Sequence, residues 1–121
     1  MEQEIRWPLA PADPATFTGG AYTRMIAAAT EYAPVKLFYV RFEPGAKTNW
    51  HVHSAPQILL VTQGRCAYQI EGEEVRILEA GQSVRFEPGI RHWHGGTATE
   101  GADHIAINLD DMVTTWMEPV E

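Results

Sequence analysis

The chain has 121 residues and a formal charge of −7, with 9 Lys+Arg against 16 Asp+Glu. That length supports one domain, and 45% apolar residues with four each of Trp, Tyr and Phe supply a real core, which excludes a disordered chain. Acidity without any basic run argues against nucleic acid or an anionic membrane as partner, since both need clustered cations.

Residues 1–20 carry Trp7-Pro8, Pro11, Pro14 and Gly19-Gly20 and read as an irregular N-terminal arm. Met1 to Arg6 lacks the basic and apolar regions of a signal peptide. No apolar run approaches the roughly 18 residues of a membrane span. The expected location is therefore the cytoplasm. From residue 21 onward, short segments alternate with turn residues. Met25 to Thr30 is Ala-rich but short and uncapped, and reads as a strand. Lys36 to Phe42 alternates Leu37, Tyr39 and Arg41 with Phe38, Val40 and Phe42, then meets Glu43-Pro44-Gly45. Gln57 to Val61 ends at Gln63-Gly64, and Cys66 to Ile70 ends at Glu71-Gly72. Val75 to Leu78, Ser83 to Phe86 and His104 to Leu109 follow, each closed by Gly, Pro or Asp. Turns at about every eight to twelve residues fit an antiparallel sandwich or barrel, so the fold class is all-β. Phe42-Glu43-Pro44-Gly45 recurs as Phe86-Glu87-Pro88-Gly89, with a histidine after each copy. That echo is too short for a repeat, but it suits two Greek-key halves.

His51 and His53 lie two apart, so on a strand both imidazoles point to one face and can converge on an ion. Any one of them alone reads as a surface or satisfied core residue. Together, between Gly and Pro turns, they read as metal ligands. Gln57 can return to the same interior after Ser54-Ala55-Pro56. His92 and His94 also share a face, as do His104, Ala106 and Asn108. Inward polar groups cost free energy unless paired or used. His94 and His104 therefore either hydrogen-bond the metal ligands or serve as a general base, and pattern alone leaves both open.

The run Gly45-(five residues)-His51-Val52-His53-(three)-Gln57-(six)-Gly64 resembles the first motif of the cupins, with Gln57 where most members carry Glu. Gly81-(five)-Glu87-Pro88-Gly89-Ile90-Arg91-His92 resembles the second, with Glu87 and Gly96 in place of the usual Pro and Asn. The resemblance spans about residues 36–110, with motifs at 45–64 and 81–96. It implies a cupin-type jelly-roll barrel over residues 21–121, holding one divalent metal on His51, His53, Gln57 and His92. Physically, three imidazoles and an amide leave the +2 charge uncompensated. Such a site is a strong Lewis acid that favours anionic ligands.

Phe42-Glu43-Pro44-Gly45-Ala46, Trp50-His51, His92-Trp93-His94-Gly95, Asp103-His104-Ile105-Ala106-Ile107 and Trp116-Met117-Glu118 are similar to segments of the small bacterial manganese-dependent cupin hydroxynitrile lyases. That resemblance implies catalytic roles for His94 and His104, and manganese as the metal. It also points to Phe38, Val40 and Asn108 as residues that tune activity. Ligand type alone admits iron, zinc, nickel or cobalt as well. The expected function is cleavage or synthesis of a cyanohydrin. A metal-dependent dioxygenase and a non-catalytic metal- or small-molecule-binding cupin are the alternatives. Phe38, Val40, Phe42, Leu59, Val61 and Asn108 are the expected substrate pocket. Cys66 reads as a small buried hydrophobe, and Trp50 and Trp93 as packing on the far side of the sheet. The outer-face residues Leu37, Tyr39, Ile105, Ile107 and Leu109 are too apolar for solvent, which leads to the expectation of a homodimer or homotetramer.

Overall fold

The computed structural model describes residues 8–121, so the first seven residues of the expected arm, with Met1 to Arg6 and Trp7, lie outside them. Within the described residues the chain forms β1 (Ala10–Pro11), β2 (Phe17–Thr18), β3 (Ala21–Ala27), β4 (Val35–Phe42), β5 (Lys47–Thr48) and β6 (His51–His53). It continues with β7 (Gln57–Ile70), β8 (Arg76–Glu79), β9 (Ser83–Phe86), β10 (His92–Gly96), β11 (Ala102–Leu109) and β12 (Thr114–Trp116). None of these elements is a helix, and among the described residues no helix is long and apolar enough to cross a membrane.

One face of the barrel is the order β1-β3-β4-β11, continued by the first part of β7 and then β9, all antiparallel. The other is built from the second part of β7 with β8 and β10, and β10 in turn carries β5 and β6. This is the expected all-β jelly-roll, in which a curled sheet closes over its own apolar side. The sequence suggests two strands separated by Gln63-Gly64, but β7 runs through as one strand of 14 residues. Gly64 makes the passage possible. Its φ is +75°, and a side chain there would collide with the Gly101 carbonyl. The strand therefore bends from one sheet into the other instead of stopping.

The sequence reads residues 1–20 as irregular, but two short strands in that segment join the sheets. Ala10 and Pro11 pair with Thr23 and Tyr22, and Phe17 and Thr18 pair with Thr48 and Lys47. Pairings of two residues carry no periodicity, so the Pro-rich composition hid them. The expected strand Met25 to Thr30 starts earlier, at Ala21, and ends at Ala27.

Inward positions fill the core as alternation requires. Leu59, Tyr68, Phe86 and Ala106 form one cluster, Ala21, Val40, Phe42 and Ala46 a second, and Val61, Cys66 and Ala102 a third. Cys66 is fully buried, and burial pushes its thiol up to about 12, so it packs as a small hydrophobe. Trp93 is buried and donates to Gln69 Oε1, with Lys47 Nζ 4.8 Å from its ring centroid. Arg91 stacks 4.9 Å from Trp50. Both tryptophans thus serve packing.

Alternation places Tyr39 outside, needing a cover, yet it is buried within the single chain. Its hydroxyl donates to Asp103 Oδ2 at 2.6 Å, and Arg41 donates to both carboxylate oxygens at 2.8–2.9 Å. Burial and that carboxylate push the phenol above its ordinary range. The network sits at a register shift between Asp103 and His104, where Thr62 of β7 is skipped in the pairing. The irregularity buries both consecutive residues, so Asp103 is satisfied on one side while His104 faces the interior. Leu37, Ile105 and Ile107 remain half-buried and Leu109 exposed on the outer face, the surface to which the expected homodimer or homotetramer is assigned.

Candidate metal centre

Strand register brings the histidines together. His51 pairs directly with His92 across β6 and β10, and His53 follows His51 on the same face. One ring nitrogen from each of the three lies within 4.8 Å of the others, a grouping that could hold a metal ion. Ring centroids are 4.2 Å apart for His51 and His92, 4.9 Å for His51 and His53, and 5.2 Å for His53 and His92.

In each ring Nδ1 is engaged by a partner outside the cluster. His51 Nδ1 donates to the Asn49 carbonyl at 2.8 Å, and His92 Nδ1 donates to the Ile90 carbonyl at 2.9 Å. A carbonyl can only accept, so these two rings carry hydrogen on Nδ1 and keep a bare lone pair on Nε2. His53 Nδ1 lies 2.9 Å from the Thr114 hydroxyl. His92 Nε2 is fully buried and has no hydrogen-bond partner among the described residues. A bare acceptor aimed into a group of other acceptors is costly unless a cation sits among them. The donor set therefore fits a divalent ion, with neutral imidazoles offering Nε2.

Gln57 reaches the same place. Its Oε1 is 3.0 Å from His53 Nε2, and its Nε2 donates to Asn108 Oδ1 at 2.9 Å. Asn108 thereby orients the amide so that the oxygen faces the histidines. His94 and His104 form a separate pair beside this group. His104 Nε2 and His94 Nδ1 are 3.0 Å apart and share one hydrogen. Phe42 packs edge-on to His94 and tilted against His104, and Phe86 stacks on His92 at 3.8 Å.

All five rings are held neutral. Burial pulls His51 down to about 3, helped by the neighbouring His92 and opposed by the Asn49 carbonyl. Burial likewise brings His92 to about 4, and His104 to about 4 against the opposing pull of Asp103. His53 is lowered by burial, and His94 falls well below the ordinary range through burial and then His104. The linkage to stability has a definite sign. Unfolded histidines bind a proton near 6.5, while these folded ones bind it only near 3 to 4. Between those values the unfolded state holds more protons. Stability of the metal-free protein is thus full above 6.5 and is expected to fall steeply as the pH drops toward 4. Urea midpoints measured in chelator across that window check this, and a pH-independent midpoint contradicts it.

The cluster opens on a cavity of about 290 Å³. Its lining includes His51, His53, Gln57, His94, His104 and Asn108, with Phe38, Val40 and Ala106 as an apolar wall. Among the described residues, no Asp, Glu, Lys or Arg lines it, so this lining offers no countercharge to a cation. Phe42, Leu59 and Val61, expected in the pocket, do not line it. All are essentially fully buried, with Phe42 behind the His94–His104 pair and Leu59 in the core beside Phe86. Parity correctly turned them inward, but they lie beneath the cavity floor. His92 also sits below the lining, stacked on Phe86. Sequence reasoning missed Phe17, Thr23, Thr48, Thr114 and Trp116, which complete the wall. All except Thr23 lie on strands of two or three residues, too short to show a period.

Comparison with known proteins agrees with this geometry. The cupin domain family matches residues 38–110. The chain is 42% identical over 112 residues to an (R)-mandelonitrile lyase of Granulicella tundricola, covering 91% of this chain and 84% of that protein. A crystal structure of a cupin-like protein from Thermotoga maritima superimposes with a TM-score of 0.90 at 32% identity, over 98% of this chain and 92% of that one. An acetylacetone dioxygenase from Acinetobacter johnsonii shares the fold at a TM-score of 0.68 and 16% identity, over 90% and 74% of the two chains. With both motifs on adjoining strands and the histidines gathered inside the barrel, the chain belongs to the cupin family.

Proposed function

We propose that this cupin is a metal-dependent lyase that cleaves or forms cyanohydrins, with His51, His53, Gln57 and His92 as metal ligands. The observation that carries this reading is the His94–His104 pair beside the three-histidine group, at a cavity whose described lining residues include no carboxylate. The Granulicella relative, an (R)-mandelonitrile lyase, supports it.

A divalent ion, manganese in this reading, supplies a Lewis acid for a substrate oxygen when bound. In this reading His94 carries its hydrogen on Nδ1 and donates it to His104 Nε2, so His94 Nε2 is bare and accepts the hydroxyl proton of the cyanohydrin. The carbon–carbon bond then breaks and its electron pair leaves with cyanide. The hydroxyl-bearing carbon becomes the carbonyl carbon of an aldehyde. The proton on His94 returns to cyanide, and hydrogen cyanide departs. Burial keeps His94 neutral and able to accept that proton, and His104 orients the ring and shares the charge that arrives. Phe38, Val40 and Ala106 receive the organic group, and Asn108 holds the Gln57 amide.

Incubation of manganese-loaded protein with mandelonitrile tests the proposal. Benzaldehyde and cyanide are expected in equal amounts. No benzaldehyde above buffer, with manganese demonstrably bound, sinks the lyase reading. Dioxygen consumption by iron- or nickel-loaded protein with an enolisable diketone points instead to the oxidative alternative.

A further inference from the structure

We infer that the C-terminal strand Thr114–Trp116 is a positioning element of the histidine site, with the Thr114 hydroxyl holding His53 so that Nε2 faces the ion. The inference rests on the metal-site reading above. It begins from a difference among the three rings. His51 and His92 each take their Nδ1 partner from a carbonyl two residues earlier, so the local chain sets their orientation. His53 has no such local partner. Its Nδ1 partner is a side chain 61 residues away, the Thr114 hydroxyl at 2.9 Å.

The register explains how that contact is reached. β12 lies antiparallel to β6, with Thr114 opposite His53 and Trp116 opposite His51. The Trp116 ring packs on His51 at 4.5 Å, so the strand touches two rings of the group. Beyond it, the segment is fastened to the chain around the site. Met117 N donates to the Trp50 carbonyl, Trp50 N to the Glu118 carbonyl, and Asn49 Nδ2 to the Met117 carbonyl. The Glu118 carboxylate meets Arg91, the residue before His92. The strand is thus pinned at the point where its hydroxyl is used.

The chemistry of a hydroxyl matters here. Gln57 Oε1, 3.0 Å from His53 Nε2, can only accept, so this contact places the hydrogen on Nε2; for His53 to offer that lone pair to an ion the hydrogen must move to Nδ1, where a buried N–H needs an acceptor. Thr114 Oγ1 is the acceptor in reach. Valine at this position keeps the shape and removes the acceptor, whereas serine keeps it. Partners behind a metal ligand typically change affinity by about 10–100-fold when removed.

The test is manganese binding by equilibrium dialysis to the full chain, in wild type, Thr114→Val and Thr114→Ser, with the melting temperature of each metal-free protein recorded. Thr114→Val is expected to bind about 10–100-fold more weakly, with Thr114→Ser close to wild type. Equal binding by wild type and Thr114→Val overturns the inference, and so does equal weakening by both variants, which marks a packing effect. Wild-type protein that binds no manganese overturns the metal site itself and is thereby distinguished. A second measurement needs no variant. In zinc-loaded wild type, nitrogen-15 spectra of histidine should show the His53 hydrogen on Nδ1, protected from exchange and close to the Thr114 methyl. A His53 hydrogen on Nε2 in that sample overturns the inference.

Discussion

Replacing His94 with alanine is expected to slow cyanohydrin cleavage by about 10²–10⁴-fold while the divalent ion stays bound. The range is the usual contribution of one positioned acid–base group. The reason for expecting the full effect lies in the geometry. His94 lines the cavity, and its Nδ1 is committed to His104, so Nε2 is the nitrogen left for substrate. His104→Ala should cost less turnover, because it removes the orienting partner and leaves the base. It also leaves His94 Nδ1 buried and unpaired, a penalty of about 1–3 kcal/mol that should appear as lower thermal stability. Turnover and metal content measured on the same samples separate these effects. Loss of manganese together with activity in His94→Ala would place His94 among the ligands and refute its role as base.

The second large effect is expected from His92→Ala, which should abolish stoichiometric manganese binding. Removing a ligand should exceed the roughly 10–100-fold loss that follows removal of a residue behind one. His92 is the informative choice because, among the three grouped histidines, its Nε2 is a fully buried ring nitrogen with no partner among the described residues. A ligand that binds only the folded state, at about 100 times its dissociation constant, adds about 2.7 kcal/mol of stability. Wild-type protein should therefore melt at a lower temperature after chelation, while His92→Ala should be indifferent to manganese and chelator alike. The variant also loses the ring stacked on Phe86, so its own melting temperature should fall below that of metal-free wild type. Calorimetric scans with and without manganese give both numbers. A manganese-dependent shift retained in His92→Ala contradicts this ligand assignment.

Much of the site was readable because strands have a period of two. His51 and His53 had to share a face, and so did His92 and His94, and His104 and Asn108. The spacing from Gly45 to Gly64 anticipated that Gln57 returns to the same interior, where it now meets His53. Parity has no depth, however. It turned Phe42, Leu59 and Val61 inward together with Phe38 and Val40, although only the latter two reach the cavity. Parity is also blind to side-chain networks. Tyr39 belongs to the outward set, yet Asp103 and Arg41 cover it without any second subunit.

The sequence by itself pointed to an all-β sandwich or barrel and put His51 and His53 on one face, because these depend on local alternation and on turn residues at fixed spacings, while the resemblance to the cupins implied the jelly-roll and the further ligands Gln57 and His92. Only the tertiary structure decided which of them meet. The pairing of His51 with His92 is a matter of register between strands about forty residues apart. The Thr114 contact to His53, and the cavity wall from Phe17 to Trp116, depend on where short terminal strands dock. Segments of two or three residues carry no pattern of their own. Their positions follow from backbone hydrogen bonds and packing that exist only once the barrel has closed.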